Sequence, residues 1–276
     1  MWQWRPHAHP EVVVLCAAMW FIYDHAIRVH RARTGEVATG AQRRRWTLGT
    51  LAILVAASWP IHDLAERSLY SVHMIQHMLI TIVAPPLLIT GAPAWMARAL
   101  LPPRVMRAWR VVTKPSVALV QFNIILVFSH WPMIVNASVH SELLHFSLHL
   151  LLFASALVLW WPVFSPLVEL PRLPYPKTML YLFLQSIVPT VPASFLTFGD
   201  HPLYKAYIAM PKAWGISALT DQRTAGLIMK IGGGFIIWGI IAWAFFMWFR
   251  LERDGGLDAL GWRDVEHSLS KVELKR

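Results

Sequence analysis

Apolar residues gather into seven long runs separated by short polar connections, at 11–29, 46–61, 72–95, 116–136, 141–164, 178–198 and 226–249. Each run is close to the ~20 residues that carry a helix across ~30 Å of hydrocarbon. A segment crossing lipid must satisfy its own backbone, so the pattern predicts helices. No internal repeat or low-complexity linker divides the chain. The expectation is an all-α, polytopic membrane protein: one seven-transmembrane-helix bundle with a charged tail at 250–276. Prolines punctuate the runs. Pro85-Pro86, with Gly91 and Pro93, predicts a break in the third helix, Pro132 a kink in the fourth, and Pro189 and Pro192 a bend in the sixth.

The polar connections orient the bundle. The first carries Arg28, Arg31, Arg33, Arg43, Arg44 and Arg45 against Glu36 alone, and the third carries Arg98, Arg104, Arg107, Arg110 and Lys114 with no acid. The second sets Arg67 against Asp63 and Glu66. Basic loops stay on the cytoplasmic side, which predicts an external N-terminus and a cytoplasmic C-terminal tail. The polar first ten residues lead directly into a full-length run, without the pattern of a cleavable signal.

Composition changes the picture in two places. The net charge of +10 raises nucleic acid as a partner, but the charge sits in loops beside apolar runs, where it serves topology and anionic headgroups. Membrane lipid is therefore the expected partner, and nucleic acid is not. The single cysteine, Cys16, lies inside the first run, which excludes both an intrachain disulfide and a Cys-x-x-Cys thiolate cage.

Histidine carries the chemistry. Of 13 histidines, ten fall at the expected outer end of the bundle: His7, His9, His62, His73, His77, His130, His140, His145, His149 and His201. His25, His30 and His267 fall on the other side. His73 and His77 are four residues apart and share a helix face, with Tyr70 and Thr81 on the same stripe and Met74 and Met78 beside it. Glu142, His145 and His149 form a second stripe, which at ~1.5 Å per residue puts His149 on the order of 10 Å below the surface. His62-Asp63 closes the second run and His130 precedes the kink of the fourth. Imidazole at such depth needs a partner. Two i,i+4 histidine pairs on neighbouring helices can present four nitrogens to one metal ion. Histidine alone does not choose among zinc, copper, iron and nickel; adjacent thioethers favour copper. Asp221 is either an N-terminal helix cap or a further ligand. Gly226 and Gly232-Gly233-Gly234 suit close helix packing.

At these residues the chain resembles the CtaG-type family of seven-helix cytochrome c oxidase assembly factors. The resemblance rests on His73-Met-Ile-Gln-His77-Met-Leu, Ala84-Pro-Pro-Leu, Gly91-Ala-Pro93, Phe122-Asn123, His130-Trp-Pro132, His145-x-x-x-His149, Trp160-Trp-Pro162 and Asp221-Gln222 with Ala225-Gly-Leu-Ile-Met229. It implies a protein of the bacterial inner membrane that is not an enzyme and that handles copper for haem–copper oxidase subunits, supplied by a periplasmic donor. It also implies His73, His77, His130, His149 and Asp221 as copper-site residues. One departure is Leu148, where the family pattern has an acidic residue; Glu142 is the expected substitute. The full candidate set is His73, His77, His145, His149, His130 and His62, with Met74, Met78, Asp63, Glu142 and Asp221 in support. Two other readings of the same residues stay open: an intramembrane zinc hydrolase, with Asp63, Glu142 or Asp221 as acid or base, and a bis-histidine haem carrier.

Overall fold

A computed structural model describes residues 8–253, and its regular structure is helical throughout. His7, His267 and most of the tail lie outside the described residues. The first run is helix α1 (Pro10–Thr34), closed by Gly35 in a left-handed conformation, with φ of 76°. Helix α2 (Gly40–Ala56) starts from a reciprocal capping box between Thr39 and Gln42. A turn at residues 57–60 separates it from a short helix, α3 (Ile61–Arg67). His62 and Asp63 therefore ride on a short helix of their own, which closes the second candidate span, Gly40–Arg67.

The third run stays helical through Pro85-Pro86 and breaks at the later part of the expected stretch, just after Gly91. Helix α4 (Tyr70–Met78) passes through a wide turn (Leu79–Val83) directly into α5 (Ala84–Gly91). In that turn the Ala84 N–H reaches the Leu79 carbonyl five residues back. The carbonyl that the prolines orphan is that of Thr81: its donor would be residue 85 in an α-turn or residue 86 in the wider turn, and both are proline. Trp160, on another helix, donates its indole N–H to this oxygen at 2.8 Å. The chain breaks only at Ala92-Pro93.

The basic third connection folds into α6 (Ala94–Leu100) and α7 (Pro103–Val112), the latter with no buried residue. Helix α8 (Pro115–Ser129) follows at a bend of 76°. Here the expected fourth span is shortened. Its 15 residues rise only ~22 Å, because the run ends at His130 and Pro132 opens a new helix, α9 (Pro132–Val139). Helix α10 (Glu142–Phe164) is capped by Ser141. The sixth run bends at Val188-Pro189 into α11 (Tyr175–Ile187) and α12 (Thr190–Phe198). After α13 (Lys205–Ala209), α14 (Ala218–Leu227) continues through a second wide turn (Ile228–Gly232) into α15 (Gly233–Leu251). Among the described residues six stretches are long and apolar enough to span a membrane; a seventh is reached by counting α7 and α8 as one bent span.

Large apolar side chains such as Phe21, Leu143, Phe195, Phe235 and Phe246 are exposed, as a lipid-facing perimeter requires. The buried core joins Met74, Phe122, Leu152, Leu159, Trp160, Leu182 and Leu196, so α4, α8, α10, α11 and α12 meet around one axis. Close approach depends on glycine at one point above others. A Cβ on Gly226 would overlap Thr197 Oγ1 and stand 2.8 Å from the Ala193 carbonyl, which locks α14 against α12. Around Gly234, by contrast, nothing lies within 4 Å of a built Cβ. Gly226→Ala is expected to destabilise the protein by about 1–3 kcal/mol, seen as a lower melting temperature in detergent, while Gly234→Ala leaves it unchanged or raised.

Candidate metal centre

The two histidine stripes meet. His73 and His77, one turn apart on α4, have ring centroids 4.3 Å apart; His145 and His149 on α10 are 4.2 Å apart. The stripes face one another, with His73–His149 at 5.3 Å and His77–His149 at 4.9 Å. The closest approach is between ring nitrogens: His77 Nε2 and His149 Nε2 are 3.1 Å apart. His73, His77 and His149 together offer three ligand nitrogens that all lie within 4.8 Å of one another. Ligands at ~2.0 Å around a tetrahedral first-row ion are separated by roughly 3.3 Å, so small side-chain adjustments bring three nitrogens onto one ion. A chamber of ≈ 10 Å³ lies among His73, His77, His145, His149, Ser129 and Ser138. That is room for about one water-sized sphere. The donor set and the space fit a single metal ion, with nothing larger beside it.

His130 stands next to this group, its ring 5.3 Å from that of His77. It caps α8, and its Nδ1 lies 2.7 Å from the Leu126 carbonyl. A carbonyl only accepts, so Nδ1 carries the proton and Nε2 keeps its lone pair. This Nε2 is buried without a hydrogen-bond partner, as are Nδ1 of His73 and Nδ1 of His77. Buried polar atoms are normally paired. With Nε2 of His145, four unpaired imidazole nitrogens in one region are the mark of groups arranged for a ligand.

The supporting candidates divide. Met74 and Met78 do not line the small chamber. With Met229 they line a neighbouring cavity of ≈ 60 Å³ that His77 and His130 also border. His62 lies toward the surface: its Nδ1 receives an N–H from Gln76 at 3.1 Å, and its Nε2 is 3.2 Å from Glu66 Oε1. His145 Nε2 is 3.1 Å from the same oxygen. Asp63 pairs with His9 at 3.1 Å, and His9 packs edge-on against His62 at 4.7 Å. Glu142, the expected substitute for the missing acid, is exposed in the first turn of α10. Leu148 lines the chamber at the position in question, and the carboxylate that reaches His145 is Glu66. His140 is exposed on the Asn136 carbonyl, and His201 is exposed in the loop after α12.

Asp221 is placed at a helix start, though not that of its own helix, which Ser217 caps. Its carboxylate accepts from the backbone N–H groups of Tyr70 and Ser71, both at 2.9 Å, and from Lys212 Nζ at 3.0 Å. An anion at a helix N-terminus is favoured by the unpaired N–H groups there. Asp221 is thus the cap of α4 and sets the register from which His73 and His77 hang. The preceding loop clamps the same region. Tyr204 donates to the His130 carbonyl at 3.0 Å, Tyr207 to the Ala65 carbonyl at 2.8 Å, and Ala213 N to Ser68 Oγ at 2.8 Å. Burial pushes the Tyr204 phenol up to about 12 and that of Tyr207 well above its usual range, so both remain neutral donors. Tyr204, Tyr207, Lys212 and Glu66 carry no metal-ligand spacing in the sequence, and only the fold brings them to the site.

Asp221→Ala leaves Lys212 without its carboxylate and two helix N–H groups without an acceptor. The expected loss is about 3–5 kcal/mol in chemical denaturation, with metal affinity falling in parallel as α4 loses its anchor.

The profile of the cytochrome c oxidase caa3 assembly factor family (Caa3_CtaG) matches residues 21–251. No curated protein and no solved structure matches the chain. The matched stretch takes in α3, α4, α8, α10 and α14, every element that holds the imidazole group in place. The chain belongs to the cytochrome c oxidase caa3 assembly factor family.

Proposed function

We propose that this assembly factor binds copper at His73, His77 and His149 and passes it to a haem–copper oxidase subunit in the same bacterial inner membrane. One observation carries the reading: three ring nitrogens from two helices, on buried His73 and His77 and half-buried His149, lie within 4.8 Å of one another beside a chamber of ≈ 10 Å³. Copper is cargo here, not a resident cofactor, and the protein is not an enzyme. The histidine end of the bundle faces the periplasm, following the basic first and third connections to the cytoplasmic side. A periplasmic donor supplies the ion there.

Three features favour copper over the competing readings. His130 Nε2 is free to take the ion next, since its proton sits on Nδ1. The cavity beyond is lined by Met74, Met78 and Met229, whose thioethers suit Cu(I). A hydrolytic zinc site needs space for a substrate beside its activated water, and a chamber of ≈ 10 Å³ has room for about one water-sized sphere. Imidazole rings 4.2–5.3 Å apart also leave no gap for a porphyrin.

The release step follows from the same geometry. Few imidazole ligands, all neutral, hold an ion by exchangeable bonds, and a better-formed copper centre on the oxidase can draw it away.

Purified protein is expected to bind about one Cu(I) per chain in competition with a chromophoric chelator, against the three-nitrogen site described above. The double variant His73→Ala/His77→Ala should bind none at that affinity, and cells carrying it should lose oxidase copper spectra. Wild-type stoichiometry in the double variant overturns the proposal.

A further inference from the structure

Between the protein surface and the chamber stands Glu66, with its side chain 26% exposed. One of its oxygens, Oε1, lies 3.2 Å from His62 Nε2 and 3.1 Å from His145 Nε2. The two imidazoles have different roles. Gln76 anchors its amide nitrogen on the Ala56 carbonyl at 3.0 Å and donates to His62 Nδ1. With Nδ1 accepting, neutral His62 carries its proton on Nε2, which lies 3.2 Å from the carboxylate. His62 therefore orients Glu66 and does not compete with it. His145 is 8% exposed, and its Nε2 is buried with no hydrogen-bond partner although Glu66 Oε1 is close by. The carboxylate approaches this nitrogen out of hydrogen-bonding direction, which leaves its donor capacity unspent.

Charges of both signs surround Glu66. Asp63 and Glu142 stand within electrostatic reach of Glu66, with Arg67 and His9 as the opposing groups. Glu11 lies 3.4 Å from His9 Nδ1. On its inner side His145 adjoins His149 at 4.2 Å and His73 at 5.5 Å.

We propose that Glu66 and His145 form a second, outer cation site, where a divalent first-row metal ion is captured before it reaches the chamber. A carboxylate oxygen and one imidazole nitrogen suit such an ion and hold it loosely. It can then exchange its oxygen ligand for His149 and His73 without leaving the imidazole file. His62 is a positioning residue for the carboxylate. The route inward rests on the copper-binding reading of the chamber; the outer site itself does not.

The test is calorimetric titration of the full chain in detergent with Zn(II), which needs no reductant. The wild-type protein should take two equivalents, one tight and one weaker. Glu66→Gln should keep the tight equivalent and bind the weaker one on the order of tenfold less well or worse. His73→Ala/His77→Ala should do the reverse, losing the tight equivalent and keeping the weaker. Glu66→Asp, with its carboxylate retained, should recover part of the weaker equivalent, which a purely structural role for Glu66 does not explain. Co(II) ligand-field bands that disappear in Glu66→Gln give a second readout independent of heat. Two equivalents of unchanged affinity in Glu66→Gln overturn the proposal. If the chamber reading alone is wrong, the double variant keeps both equivalents while Glu66→Gln still loses one.

Discussion

Asp221 ties together the two parts of the chain that would otherwise have no reason to stay in register. Its carboxylate, 1% exposed, receives the first two backbone N–H groups of α4 and the ammonium of Lys212. A buried carboxylate must have its charge met, and a buried helix start must have its donors met; each satisfies the other. The residues that follow in α4 are His73 and His77, four apart, so this one contact fixes which way both imidazoles point. Lys212 extends the arrangement to the Ser68 carbonyl at 2.8 Å, which fastens the end of α3 where Glu66 projects.

Around that anchor the bundle solves a second problem, the presence of polar rings in an apolar interior. His9, His62, His145, His149, His73, His77 and His130 form a file in which each ring lies 4.2–6.4 Å from the next. Toward the surface, carboxylates accompany the imidazoles. Deeper in, the thioethers of Met74, Met78 and Met229 join His77 and His130 around a cavity whose wall also carries Thr81, Gln185, Ser186 and Thr190. The donors soften with depth. Ligand character therefore changes along the file, with carboxylate oxygen at the outer rings and thioether sulfur near the inner ones. His77 and His149 meet nitrogen to nitrogen at 3.1 Å, while Nδ1 of His73, Nδ1 of His77 and Nε2 of His130 are left without a partner.

Much of this was legible in the sequence, and the part that was not has a common cause. Helical periodicity alone pairs His73 with His77 and His145 with His149, because residues four apart share a face. The apolar runs likewise predict the spans, apart from the fourth, where Pro132 divides what hydropathy reads as continuous. What failed were local rules overridden by distant partners. Pro85-Pro86 predicts a break, yet Trp160 on α10 supplies the donor that the prolines remove. Asp221 reads as a cap for its own helix or as a ligand, and it caps a helix 150 residues earlier in the chain. Glu66 reads as one acid in a short outer connection; only the turn at residues 57–60 and the packing of α3 carry it to His145. Loop residues such as Tyr204 and Tyr207 carry no periodic signal at all, because their phenols act on backbone carbonyls of other elements.

The account comes down to nitrogen atoms converging on one ion. X-ray absorption at the copper edge on protein loaded with a single equivalent of Cu(I) tests this most directly. The geometry of His73, His77 and His149 predicts a shell of about three nitrogen scatterers at roughly 2.0 Å, with the outer-shell pattern of imidazole rings. A shell dominated by sulfur, or one or two light scatterers without imidazole features, would contradict it.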